Sequence, residues 1–108
     1  MPNTHQFKLM NHDFNLIKKG RKSIEVRVAD EKRKKVKKGD LIIFNRKTTK
    51  KVVRVCGYLS FEEMLEHEDP EKIMPKWNKE RIINRLREIY NETQENQGVL
   101  VFELQVDP

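Results

Sequence analysis

Gly20-Arg21-Lys22-Ser23-Ile24-Glu25-Val26-Arg27 is the stretch on which the reading of this chain turns. The glycine marks a turn, and a short strand follows it. Strand periodicity places Ile24, Val26 and Val28 on one face and Ser23, Glu25 and Arg27 on the other. The outer face therefore carries a hydroxyl, a carboxylate and a guanidinium in register. The ammonium of Lys22 stands at the entrance; by parity it shares the apolar side, or it belongs to the turn. Such a set of donors and acceptors suits a polar or anionic ligand. The plainer alternative is a solvated strand face with a cross-paired Glu and Arg.

On the N-terminal side, Phe7-Lys8-Leu9 alternates and reads as a first strand. Asn11 or Asp13 can cap a short helix carrying Phe14, Leu16 and Ile17, which Gly20 ends as a left-handed cap. On the other side, Asp30 to Lys38 reads as a basic connection anchored by Val36. Gly39-Asp40 turns into a strand from Leu41 to Asn45, Arg46 to Lys50 forms a polar loop, and Lys51 to Leu59 returns as a strand. Ser60 and Glu63 have the spacing of a capping box at the start of a helix whose buried stripe is Phe61, Met64 and Leu65. Asp69-Pro70 breaks that helix, and Glu71 to Trp77 reads as a loop or short turn. Asn78 caps a longer helix with apolar positions Ile82, Ile83, Leu86, Ile89 and Tyr90. Residues Asn91 to Gln97 read as polar and loose. Val99 to Val106 reads as a last strand, with Val99, Val101 and Glu103 opposing Leu100, Phe102 and Leu104. Strands with helices inserted between them make an α+β domain.

A chain of 108 residues has room for one core, and it is 36% hydrophobic against 37% charged. Nothing in it approaches the ~18 apolar residues of a membrane span, and the first residues lack the apolar core of a secretory signal. The single Cys56 permits no internal disulfide, agrees with a cytoplasmic location, and reads as a small core residue. The scattered His5, His12 and His67 give no metal-ligand spacing, so no metal and no cofactor are expected.

The net charge of +6 is unevenly spread: residues 1–60 hold 17 Lys/Arg and 5 Asp/Glu, whereas residues 61–108 hold 6 and 12. A basic half facing an acidic half offers one side to a polyanion. The basic side includes Lys32, Arg33, Lys34, Lys35, Lys37 and Lys38, six cations in seven residues. This run reads either as a phosphate-backbone contact surface beside the signature strand or as a solvated connection. Trp77, between Lys76 and the cap Asn78, is placed to stack on a base or, as a hydrophobic staple, to pack on Ile82.

The octapeptide fits Gly-x-Lys-x-x-Glu-x-Arg, and in this it resembles the signature of the ASCH (activating signal cointegrator homology) domain, of the PUA-like superfamily. Lys38-Gly39-Asp40 with Leu41-Ile42-Ile43-Phe44, then Ser60 to Leu65, then Glu88-Ile89-Tyr90 with Gly98-Val99-Leu100, resemble the following segments of that family in order. The resemblance spans nearly the whole chain, residues 1–108 as one ASCH domain. It implies a small mixed β-barrel of about five to six strands with two to three flanking helices. Together with the charge pattern it points to an RNA-binding module, expected to be a monomer, that grips a nucleotide or single-stranded RNA in a basic cleft through Lys22, Ser23, Glu25 and Arg27, with the basic run 32–38 on the backbone.

Relatives of that kind include amidohydrolases of acylated pyrimidine nucleosides, and some are said to be ribonucleases. In the amidohydrolases the signature Lys activates a Thr three residues on, and a Glu before the last helix assists. Carried over, the Lys is Lys22, but the Thr position is Glu25, which removes the hydroxyl. The second Glu has no secure counterpart: Glu71 and Glu80 are near, and the aligned place is closer to Pro75. Lys22 and Glu25 are thus the candidate catalytic pair of an alternative reading, a small enzyme on RNA or on a modified nucleoside such as acylated cytidine.

Overall fold

The computed structural model describes residues 2–106. Its elements in order are β1 (Thr4–Phe7), α1 (Asn11–Lys18), β2 (Ile24–Val28), α2 (Glu31–Lys34), β3 (Leu41–Phe44), β4 (Thr48–Tyr58), α3 (Phe61–His67), α4 (Pro70–Ile73), α5 (Lys79–Ile89), α6 (Glu92–Glu95) and β5 (Val99–Leu104). The strands form one sheet in the order β1-β3-β4-β5-β2. β1 runs parallel to β3 and the other pairings are antiparallel. The fold is the expected mixed α+β type, with the sheet curled into a half-barrel. Of its helices, α1, α3 and α5 are the three that the apolar spacing marks; α2, α4 and α6 are single turns of four residues each.

β5 is apolar on both faces because it separates two cores. Val99 and Val101 join Ile24, Val26 and Val28 of β2 under α3, α4 and α5. Phe102 and Leu104 join Phe7, Phe44, Val52 and the α1 residues Phe14 and Ile17 inside the curl. Phe7 meets both Phe44 and Phe102 edge-on, with centroids 6.0 and 5.7 Å away, a geometry the ring quadrupoles favour.

Several local expectations are corrected. β1 covers Thr4–Phe7 rather than Phe7–Leu9, because His5 and the Asn3 N–H are both fastened to the Asp40 carboxylate at 2.8 and 3.1 Å. The hairpin turns at Asn45 and Arg46, with φ of +52° and +57°, not across Arg46 to Lys50. β4 therefore starts at Thr48; ordinary strand alternation turns Val52 into the core and Val53 outward, and the register with β5 shifts between Val52 and Arg54. α1 is preceded by Met10, with no side-chain cap; Asn11 is already helical. Gly20 does end it, at φ +74°. Residues 91–97 are not loose. Asn91 and Gln94 complete a capping box around α6, and Glu95, buried, accepts the Phe61 N–H at the start of α3. At Ser60 only half of the anticipated box forms, Oγ accepting the Glu63 N–H at 3.0 Å. Cys56 is only half-buried: its Sγ lies 3.0 Å from Arg54 Nη1, because the 54/56/58 side of β4 looks onto Glu68 rather than onto apolar side chains.

Candidate functional site

β2 and β1 are the two edges of the curled sheet, and the signature side chains occupy the seam between them. After α1, the Arg21 and Lys22 N–H groups both donate to Leu16 O at 2.9 and 3.1 Å, which turns Lys22 inward. Lys22 is 6% exposed. Its Nζ donates to Ile73 O on α4 at 2.8 Å and to Ile24 O at 3.0 Å, and lies 3.3 Å from Glu25 Oε1. Arg27, two residues on and so on the same face as Glu25, donates through Nε to Glu25 Oε2 at 2.8 Å. Its Nη2 reaches across the seam to Lys8 O at 3.0 Å, and its guanidinium lies 4.7 Å over the Phe7 ring.

The result is an alternating charge chain, Lys22–Glu25–Arg27, that ties α4, β2 and the end of β1 together. Burial, the largest influence, pushes the Glu25 carboxyl up; the charges of Lys22 and Arg27 outweigh it and hold it below the ordinary carboxylate range. For Arg27 burial is again the largest influence, and Glu25 again outweighs it, so the guanidinium stays charged.

Over this chain lies a cavity of about 240 Å³. Lys22, Glu25 and Arg27 form part of its wall, Ile82, Leu86 and Ile89 of α5 form an apolar part, and Trp77 and Tyr90 add aromatic side chains. Lys8, Asp13 and Arg85 complete the ionised lining, four cations against two carboxylates. Arg81 stacks 3.8 Å over the Trp77 ring, and Arg85 Nη2 lies 2.9 Å from Met10 Sδ, joining α5 to the start of α1. The Tyr90 phenol is pushed up chiefly by burial and so remains a neutral donor at neutral pH.

Of the residues the sequence singles out, Lys22, Glu25 and Arg27 meet at this cavity. Ser23 does not line it; its backbone N–H donates to Lys72 O and its carbonyl accepts from Leu104 N. None of residues 32–38 lines it either. Lys32, Lys34, Lys35, Lys37 and Lys38 are exposed, while Arg33 is half-buried, its guanidinium 5.0 Å from the Phe7 ring. Trp77 packs against the core that includes Ile82, as a staple would, and it also lines the cavity. Tyr90, Lys8 and Arg85 escape sequence reasoning. The one available signal is that the α5 stripe is wider than a core needs: Ile89 remains 50% exposed.

A second buried carboxylate lies apart from the cavity. Glu68, 6% exposed, accepts from Arg54 Nη1 and Nη2 at 3.0 and 2.5 Å and from the Tyr58 hydroxyl. Arg54 Nε donates to Glu103 at 2.7 Å. Among the described residues no cluster of His, Cys, Asp and Glu is arranged to hold a metal ion, and no helix is long and apolar enough to cross a membrane.

The half-barrel fold is shared with known proteins. The ASCH domain model matches residues 8–106, and the chain belongs to the ASCH domain family. The crystal structure of hypothetical protein PH0355 is similar, 37% identical with a TM-score of 0.90, covering 96% of this chain and 99% of that one. The solution NMR structure of protein PF0455 from Pyrococcus furiosus is 36% identical with a TM-score of 0.78, covering 98% and 97%. No curated relative matches.

Proposed function

We propose that this ASCH domain is an RNA-binding module whose seam cavity takes one nucleotide of a single strand. The observation that carries the reading is the composition of the cavity: a rigid charged wall in which Arg27 keeps Nη1 without a partner among the described residues, facing an apolar wall with Trp77 and Tyr90. Nucleotide recognition needs that combination, an apolar or aromatic surface for the base and fixed donors for polar atoms. Lys22 and Glu25 act mainly as positioning groups that hold Arg27, although Glu25 retains lone pairs that can accept a base N–H. The exposed lysines of 32–38 supply backbone contacts outside the cavity.

The enzyme reading draws less support. The Nζ of Lys22 faces three acceptors, and the Glu25 carboxylate is pinned between two cations, which makes it a weak base. Position 25 also lacks the hydroxyl that the acylated-cytidine hydrolases use.

The test is a titration of the single tryptophan, Trp77, by fluorescence with short single-stranded RNAs, cytidine and acylated cytidine, followed by mass analysis of each ligand after long incubation. Saturable quenching with unchanged ligands is expected. Arg27→Lys, which keeps the charge and loses the fork, should weaken binding about tenfold, roughly 1.4 kcal/mol. No quenching by any RNA would sink the module reading, and a hydrolysed ligand would establish the enzyme.

A further inference from the structure

The Phe7 ring is surrounded by cations in a way that the nucleotide cavity alone does not use. The guanidinium carbons of Arg27 and Arg33 lie 4.7 and 5.0 Å from its centroid, and Lys32 Nζ lies 6.0 Å away. Cation–π attraction offsets only part of the mutual repulsion of three such groups. Arg33 is further marked by its Nε, which is buried and has no acceptor among the described residues. An orphaned donor of this kind is uncommon in folded proteins and calls for an acceptor.

We propose that Arg27, Arg33 and Lys32, arranged about Phe7, form a phosphate subsite at the edge of the seam cavity. This deepens the nucleotide reading and rests on it for the base, assigning the phosphate of the bound nucleotide to the α2 side of the seam. The donor inventory fits an anion with several acceptor oxygens. Arg27 commits Nε to Glu25 and Nη2 to Lys8 O, leaving Nη1. Arg33 commits Nη1 to Asp30 Oδ2 at 3.1 Å, leaving Nη2 and the buried Nε. Guanidinium donors match phosphate geometry better than an ammonium does.

Charge agrees. Two carboxylates border the group, Glu25 and Asp30, and both are already engaged, Glu25 by Lys22 and Arg27 and Asp30 by Arg33. Against them stand Lys22, Arg27, Lys32 and Arg33. Tyr90 joins the two sites: it lines the cavity, and its phenol feels the charges of both Arg27 and Arg33. The path from the base wall on α5 to this group runs through Arg27 and Tyr90, the two of these residues that line the cavity. The other lysines of 34–38 then follow the chain outward on the surface.

The experiment uses the whole chain and three probes at constant ionic strength: inorganic phosphate, uridine and uridine 5′-monophosphate. Phosphate is read by NMR at the arginine Nε–H signals, and the two uridine compounds by Trp77 fluorescence. Phosphate should shift the Arg27 and Arg33 signals saturably. Arg33→Gln should abolish that saturation, and Arg33→Lys should restore it in part; the NMR spectrum of each variant reports whether it folds. Uridine 5′-monophosphate should bind at least tenfold more tightly than uridine in the wild type, and Arg33→Gln should remove that advantage while leaving uridine binding unchanged.

A linear response to phosphate spread evenly over the basic residues would overturn the subsite, as would saturable shifts that survive Arg33→Gln. If uridine and its monophosphate bind equally, the subsite fails while the nucleotide cavity stands. If phosphate saturates at Arg33 but neither uridine compound touches Trp77, the base-binding reading fails and the phosphate site stands.

Discussion

Two buried glutamates, Glu25 and Glu68, are nearly equally inaccessible, at 5% and 6% exposure, and each is bound by an arginine. At the first, the network is open. Among the described residues Arg27 retains a donor nitrogen without a partner, a second arginine lies 5.0 Å from the same Phe7 ring, and a cavity lies alongside. At the second it is closed. All three nitrogens of Arg54 are engaged, by Glu103, Cys56 and Glu68, and Tyr58 adds its hydroxyl to the same carboxylate. A buried ion pair therefore does not identify a site. What sets the proposed site apart is its uncommitted donors beside a concavity.

The comparison breaks most visibly in stability. Glu25→Ala strands two cations, Lys22 at 6% exposure and Arg27 at 11% for its side chain, with no other carboxylate in the charge chain. Removing one member of a buried ion pair costs about 3–5 kcal/mol. Glu68→Ala leaves Arg54 with Glu103 and 37% of its side chain in solvent, so a loss of about 2 kcal/mol is expected. Urea unfolding of both variants at neutral pH checks the order. Equal losses would mean that the seam is no more dependent on its glutamate than the closed cluster is.

The next effect concerns the run outside both clusters. Lys34, Lys35, Lys37 and Lys38 are exposed and do not line the cavity. Replacing all four with Gln should flatten the salt dependence of single-stranded RNA affinity, by about 0.7 in log–log slope for each phosphate no longer neutralised. Uridine binding at Trp77 should not change. A fall in uridine affinity would place these lysines at the cavity, contrary to their position in the structure.

Much of the open cluster is legible in the octapeptide, because strand parity alone brings Glu25 and Arg27 to one face, and the ASCH resemblance supplies the barrel around them. Lys22 is not legible by parity. Its inward turn depends on Gly20 and on a single carbonyl, Leu16 O, that receives two N–H groups. The cavity is not legible either, since Lys8 meets β2 only through the curl of the sheet, and Trp77 and Tyr90 reach the cavity from the two ends of α5. Local pattern also fails where a polar residue is buried for a distant partner. Glu95 sits in a stretch that reads as loose, yet it accepts the Phe61 N–H 34 positions away in sequence. The closed cluster is hidden for the same reason: Arg54, Glu68 and Glu103 belong to three separate segments, and the apolar neighbours of Cys56 make its strand look like plain core.

The smallest effect separates the clusters by pH. The Tyr58 phenol is pushed up to about 12, first by burial and then by its hydrogen bond to the Glu68 carboxylate. A group whose pKa is raised on folding adds stability that is fully present below its unfolded value, 10.0 for tyrosine, and is lost as pH rises through the folded value. Tyr58→Phe removes that contribution, so it should cost about 1 kcal/mol at pH 7, the worth of one partly exposed hydrogen bond to a charged group. The difference between wild type and variant should shrink between pH 10 and about 12, where the unfolded tyrosine ionises first. Urea midpoints at pH 7, 9 and 11 measure it, and common contributions from the lysines cancel in the difference. Affinity at the seam should be untouched, because Tyr58 does not line the cavity. A Tyr58→Phe variant that bound RNA more weakly at pH 7 would show that the closed cluster communicates with the open one through β5, the strand between them, and the two would have to be treated as a single network.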